Sequence, residues 1–249
     1  MKSRLDKLLV ERGLAGSRER AQALILAGKV LVDGQKVEKS GTAFDACVTL
    51  RVLGGELKYV SRGGLKLEKT LEHWHINVAG LACLDIGAST GGFTDCLLQH
   101  GAAHVIAIDT GYGQMALRIR QDPRVRLLEK TNARYLTREA LLADPEFIAV
   151  DVSFISATLV LPAVIHAAFP RAEDQRIGRQ VVVLVKPQFE VGRTHVGKGG
   201  IVRDEAFQMA ALEKVREAVV ELGARHTDSI ESPILGAEGN REFLLYGQF

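Results

Sequence analysis

Four polar residues stand where an α/β protein would place chemistry. Lys66 lies in Ser61-Arg62-Gly63-Gly64-Leu65-Lys66-Leu67, just before the sheet begins, and Asp151 follows Ile148-Ala149-Val150. Lys186 follows the run Val181–Val185 and precedes Pro187, and Glu242 precedes Phe243-Leu244-Leu245. Open α/β sheets bind ligands beyond the carboxyl ends of their parallel strands, so Asp151 and Lys186 are expected to face one pocket. A lysine can take the proton of a weak nucleophile such as a hydroxyl only when burial or a neighbouring cation favours its neutral form, and two pocket lysines meet that need. Singly, each lysine reads as well as an exposed strand-end or helix lysine, and Asp151 as the start of a turn before Ser153. On the residues alone those readings stay open. Lys69, one helical turn from Lys66, competes for the first position.

A second constellation is the loop Asp85-Ile86-Gly87-Ala88-Ser89-Thr90-Gly91-Gly92, between a predicted strand and a predicted helix. Its glycines allow a sharp turn and bring a ligand close to backbone amides. The spacing is not the G-x-G-x-x-G of nicotinamide sites, because Ser89 and Thr90 occupy the middle positions, and an acidic residue opens the loop. Both features favour a cationic amino-acid cofactor, S-adenosylmethionine, over a pyrophosphate. Gly87, Ala88, Ser89, Thr90, Gly91 and Gly92 are the expected cradle, with Asp85 at its start. Asp109 ends the next strand and can accept hydrogen bonds from a ribose diol; by itself it does not separate adenosylmethionine from NAD. Asn132, after the third strand, is a candidate for the adenine.

The elements that must position these residues follow from periodicity. Strands are expected at Ala82–Ile86, Val105–Ile108, Val125–Leu128, Phe147–Val150 and Val181–Val185, with helices at Phe93–His100, Ala157–Phe169 and about Asp204–Leu222 between or after them. A final strand pair is expected near Thr227–Ser232 and Glu242–Tyr246. This order predicts an α/β fold, a doubly wound, mostly parallel sheet. A chain of 249 residues, 47% hydrophobic and 25% charged, suits one or two globular domains. The longest strongly apolar run, Val181–Val185, is far below the ~20 residues of a membrane span. No membrane partner and a cytoplasmic location are expected, since the N-terminus also lacks the apolar core of a signal peptide. Cys47, Cys83 and Cys96 form no C-x-x-C pair and read as buried reduced thiols, and the seven histidines lack zinc spacing, so no metal is expected.

The front of the chain differs. Residues 1–60 carry 11 Lys and Arg against 7 Asp and Glu, net +4, which leaves −2 for the remainder. A helix over residues 3–12, a second one after a Ser17 N-cap and ending at Gly28, and the hairpin Val30–Val32, Asp33-Gly34, Gln35–Val37 form a small α+β module. A further alternating segment, Cys47–Val52, and Gly54-Gly55 put its end near residue 60, with Tyr59–Gly64 as the junction. Arg4-Leu5-Asp6, Ser17-Arg18-Glu19-Arg20-Ala21, Gly28-Lys29-Val30 and Val32-Asp33-Gly34 together resemble the alpha-L RNA-binding domain best known from the fourth small-subunit ribosomal protein. That resemblance implies contact with RNA phosphates and grooves, by position through Arg4, Lys7, Arg18, Arg20 and Lys29.

Over residues 61–249 the chain looks like the FtsJ-type ribose methyltransferases, a Rossmann-like fold whose Lys-Asp-Lys-Glu tetrad falls on Lys66, Asp151, Lys186 and Glu242. It departs from them at Thr90, where they commonly carry proline. Joined to the alpha-L domain over residues 1–60, the architecture resembles the TlyA family. The resemblance implies methyl transfer from S-adenosylmethionine to a ribose 2′-hydroxyl of ribosomal RNA, in cytidine, with ribosomal RNA or subunits as partner. The expected roles are Lys186 as base, Lys66 as the cation that eases its deprotonation and holds the hydroxyl, Asp151 orienting Lys186 and the methyl donor, and Glu242 positioning Lys66 and the ribose. The hemolysin label attached to the same family implies membrane damage as an alternative. A ribosome-binding assembly factor without catalysis and a nicotinamide oxidoreductase complete the alternatives.

Overall fold

The computed structural model describes residues 2–53, 58–170, 172–236 and 239–249, which divide into two compact units, Met1–Lys58 and Tyr59–Phe249. The Gly54-Gly55 pair expected near the end of the first unit lies outside the described residues.

In the first unit, β1 (Lys2–Arg4) leads into α1 (Leu5–Glu11), followed by α2 (Arg18–Leu26), β2 (Val30–Val32), β3 (Gln35–Lys36), β4 (Ala43–Asp45) and β5 (Leu50–Val52). Ser17 caps α2 by accepting from the Arg20 amide at 3.2 Å. The hairpin turn has positive φ at both Asp33 (50°) and Gly34 (82°), the pairing a two-residue turn between twisted strands requires. Leu5, Leu9, Ala21, Ile25, Val30 and Val32 form its core. Two features differ from the sequence reading. The first helix starts at Leu5 because Lys2–Arg4 pairs antiparallel with Ala43–Asp45, and Cys47 is exposed while Cys83 and Cys96 are buried. Three-residue strands are too short to leave a periodic signature.

The second unit contains α3 (Gly63–His73), β6 (Ala82–Ile86), α4 (Gly92–Gln99), β7 (His104–Ile108), α5 (Leu117–Arg120), β8 (Val125–Leu128), α6 (Arg138–Leu141) and β9 (Phe147–Val150). Then come α7 (Leu161–Ala168), β10 (Gln180–Val185), α8 (Pro187–Glu190), α9 (Glu205–Glu221), β11 (His226–Glu231) and β12 (Phe243–Gln248). The described strands form one sheet in the order β11-β12-β10-β9-β6-β7-β8, parallel except for β12, which is antiparallel to both its neighbours. Val181 to Val185 are all buried, as a central strand covered on both faces demands. One face packs with Val164, Ile165, Leu212 and Val215, the other with Leu67, Leu71, Cys96 and Leu97. The helix expected over Ala157–Phe169 is a 3-10 turn, Ala157–Leu159, followed by α7, whose second residue is Pro162. Proline suits a first helical turn and not a helix interior, so the break falls there.

The chain runs outward from β6 through β7 to β8, then crosses back to lay β9 on the other side of β6. The carboxyl ends of β6 and β9 therefore diverge into a switch-point crevice. Among the described residues no helix is long and apolar enough to cross a membrane.

Candidate active site

The switch point is lined by the loop leaving β6. Gly87, with φ +87°, brings the backbone so close to the β9 exit that a Cβ there would lie 2.2 Å from the Asp151 carbonyl oxygen. The amides of Gly87 and Ala88 both donate to the Ile108 carbonyl, at 2.8 and 3.1 Å, and Gly91, at φ +91°, starts α4. Ser89 is held in the left-handed region at φ +46°, with its amide donating to Asp109 Oδ2 at 2.8 Å. Asp109 Oδ1 accepts from the Gly111 amide at 2.6 Å, so this carboxylate ties the glycine loop to the exit of β7.

Asp85 sits beneath this loop and not in a cavity wall. It is fully buried, accepts from Thr94 Oγ1 at 2.6 Å through Oδ2, and leaves Oδ1 without a partner among the described residues. Burial pushes its carboxyl up to about 7, and the nearby negative charges of Asp151 and Asp109 push the same way. Asp85, which the sequence reading put at the start of the cofactor cradle, is thus a fully buried carboxyl that borders none of the three cavities of this site.

Three cavities meet around these residues. One of about 240 Å³ is bordered by Gly87, Ala88, Ser89, Thr90, Lys66 and Asp151. A second, of about 490 Å³, is bordered by Gly87, Asp109, Asn132, Asp151 and Val152 among others. The third, of about 410 Å³, has Lys66, Phe154, Lys186, Gln188, Asn240 and Glu242 in its wall. Asn132 borders the second cavity while its Oδ1 accepts from the Arg134 amide at 3.1 Å.

The four tetrad positions come together as two ion pairs. Lys66, on α3, bonds to Glu242, which is buried at the start of β12; both are screened from solvent. Lys186, at the exit of β10, lies 2.5 Å from Asp151 Oδ1 and donates to Ser153 Oγ at 2.7 Å. Each ammonium thus has its own carboxylate, in a setting where charge pairs interact more strongly than in water. Lys66 borders two of these cavities, and Lys69 borders none of the three.

Sequence reasoning missed Thr94, Ser153 and Phe154. Thr94 stands on the first turn of α4, where a hydroxyl can reach back to the strand exit. Phe154 is 92% exposed with φ +65°, a conformation disfavoured for a bulky residue. It packs near Phe189, with ring centroids 5.3 Å apart.

In the first unit, Arg4 and Arg18 converge on one buried carboxylate. Arg4 Nε and Nη2 donate to Asp6 Oδ1 and Oδ2 at 3.1 and 2.9 Å, and Arg18 Nε donates to Oδ2 at 3.1 Å. The Arg4 guanidinium above all holds Asp6 well below the usual carboxylate range, against the opposite push of burial. Lys7 pairs with Glu11 at 3.6 Å, and Arg20 and Lys29 are exposed.

Residues 59–249 match the family described as FtsJ-like methyltransferase, and residues 3–47 match the S4 domain. The chain is 47% identical over 246 residues to the 16S/23S rRNA (cytidine-2′-O)-methyltransferase TlyA of Mycobacterium tuberculosis, a match covering 98% of this chain and 89% of that protein. It is 41% identical over 244 residues to hemolysin A of Brachyspira hyodysenteriae, covering 98% of each. A solved structure from Streptococcus thermophilus superposes with a TM-score of 0.73 at 42% identity, covering 99% of this chain and 88% of that one. A glycine loop at the switch point, two lysine–carboxylate pairs beside it and matches of this length lead to one assignment: the chain belongs to the FtsJ-like methyltransferase family and carries an S4 domain ahead of it.

Proposed function

We propose that this protein transfers the methyl group of S-adenosylmethionine to a ribose 2′-hydroxyl of ribosomal RNA, at cytidine. The observation that carries the reading is that Lys66, Lys186 and Glu242 border one cavity while Lys66 and Asp151 also border the cavity lined by the glycine loop, the four being joined as two ion pairs. The TlyA relative of M. tuberculosis is named for this reaction and substrate. Residues 1–60 serve as the RNA-binding domain, with Arg4, Lys7, Arg18, Arg20 and Lys29 toward phosphates, and residues 61–249 carry the chemistry. Ribosomal RNA as substrate puts the work in the cytoplasm.

The residues present suit the cofactor. The 490 Å³ cavity lies in the usual range for small-molecule sites, and the backbone approach at Gly87 leaves no room for a side chain. Asp109 and Asp151 border this cavity with acidic groups, which favours a cationic ligand. Gly87–Gly92 would hold its amino-acid end, Asp109 its ribose and Asn132 its adenine, with Asp85 acting through the loop above it. Bound adenosylmethionine supplies an electrophilic methyl group.

This chain's own residues do the rest. Lys186, paired with Asp151, must first release its own ammonium proton; its Nζ can then accept the 2′-hydroxyl proton while Asp151 and Ser153 keep the amine aimed at the oxygen. Lys66 Nζ, fixed by Glu242, donates a hydrogen bond to the same oxygen and so positions it. The decisive test incubates the full chain with ribosomal RNA and adenosylmethionine labelled in its methyl group, then digests the RNA to nucleosides. Label in 2′-O-methylcytidine is expected; label on a base, or none, overturns the proposal. No observation among the described residues favours membrane damage, a non-catalytic assembly role or a nicotinamide oxidoreductase.

A further inference from the structure

The proposed chemistry leaves part of the 410 Å³ cavity unused. Gln188, on α8 two residues beyond Lys186, borders that cavity, and its Oε1 is buried with no hydrogen-bond partner among the described residues. Buried acceptors are nearly always satisfied, so one at a cavity wall marks where a ligand's donor belongs. The other polar groups of the wall are engaged. Asn240 accepts from the Val202 amide at 3.1 Å and donates to the Gly200 carbonyl at 2.9 Å, and Lys66 and Lys186 are held by Glu242, Asp151 and Ser153. The remaining wall includes Phe154, Phe189 and Val196, an apolar and aromatic lining suited to a planar heterocycle.

A ribose whose 2′-oxygen meets Lys186 carries its base on the adjacent carbon, so the base must lie in a space that borders that lysine. We infer that this cavity receives the target base and that Gln188 selects it, Oε1 accepting from an exocyclic amine on the base's Watson–Crick edge. Cytosine offers that amine; uracil presents a carbonyl there, acceptor against acceptor. The inference rests on the ribose methylation proposed above.

The test uses the full chain and RNA transcripts whose target nucleotide, at the position found by mapping, is cytidine, uridine or the pyrimidin-2-one riboside that lacks the 4-amino group. Single-turnover rates of the wild type should fall about tenfold or more for the latter two, as expected when a site built around a hydrogen bond loses its partner. Gln188→Ala should slow on cytidine RNA to the level of pyrimidin-2-one RNA, where variant and wild type converge, whereas Gln188→Glu, which keeps an acceptor, should still prefer cytidine. Adenosylmethionine affinity should be unchanged in Gln188→Ala, which separates base selection from a general structural role. Equal wild-type rates on cytidine and pyrimidin-2-one RNA would overturn the inference even if the variants failed to fold. So would a Gln188→Ala protein that kept full discrimination. Absence of transfer to any RNA would instead overturn the methylation reading, and this inference with it.

Discussion

Replacing Asp85 by asparagine removes a buried charge without changing shape. The Thr94 hydroxyl, 2.6 Å from Oδ2, keeps an oxygen to donate to. In the folded protein burial raises the carboxyl to about 7, whereas the unfolded chain titrates near the ordinary value of about 4. The sign follows directly. Between those two values the folded state holds a proton that the unfolded state has released, so wild-type stability falls as pH rises through the window and levels off above it. Each pH unit inside the window is worth about 1.4 kcal/mol, so from pH 5 to pH 8 the wild type should lose roughly 2–3 kcal/mol on this account, and Asp85→Asn should not. The variant pays a separate cost for an unsatisfied amide N–H, of about 1–3 kcal/mol, which is the same at both pH values and cancels from the comparison. Urea unfolding of both proteins at pH 5 and pH 8, at one ionic strength, reads the difference. Parallel pH dependences in the two proteins would refute a buried, proton-holding Asp85.

Other perturbations probe the remaining parts. Lys186→Ala should lower methyl transfer by roughly 10²–10⁴-fold with adenosylmethionine affinity retained, and Lys186→Arg should fail as well because a guanidinium keeps its proton; single-turnover rates and calorimetry check both. Gly87→Ala puts a methyl group 2.2 Å from the Asp151 carbonyl oxygen at φ +87°, so thermal melting should show a loss of more than about 2 kcal/mol and cofactor titration a weakened site. Removing residues 1–58 should leave cofactor affinity intact while RNA binding weakens and its salt dependence becomes shallower by about one unit per lost phosphate contact; filter binding across a salt series reads this.

Much of this site was legible because the α/β rule turns strand ends into coordinates. The buried run before Lys186 and the apolar run before Asp151 place both residues at one crevice without a structure. Likewise, the glycine spacing marks the loop and excludes a dinucleotide fingerprint. What periodicity does not carry is who pairs with whom. Lys66 meets Glu242 from the opposite end of the second unit, and Lys186 takes Ser153 as well as Asp151, contacts that exist only after the sheet has formed. Asp85 illustrates the same limit. An acidic residue opening a loop can point into the cavity or below it, and only the packing of α4, which brings Thr94 to its carboxyl, decides. The β1–β4 pairing of the first unit escaped for a simpler reason, since three residues contain too little alternation to read. Gln188 gave no signal at all, because an unpaired acceptor is defined by what surrounds it.

Mapping of methylated nucleosides in ribosomal RNA by mass spectrometry, from cells carrying the wild-type gene and from cells carrying Lys186→Ala, tests the central claim most directly. The account predicts a 2′-O-methylcytidine at a defined position in the first and unmodified cytidine there in the second. Identical ribose methylation in both, or a methyl group that moves from ribose to base, would contradict it.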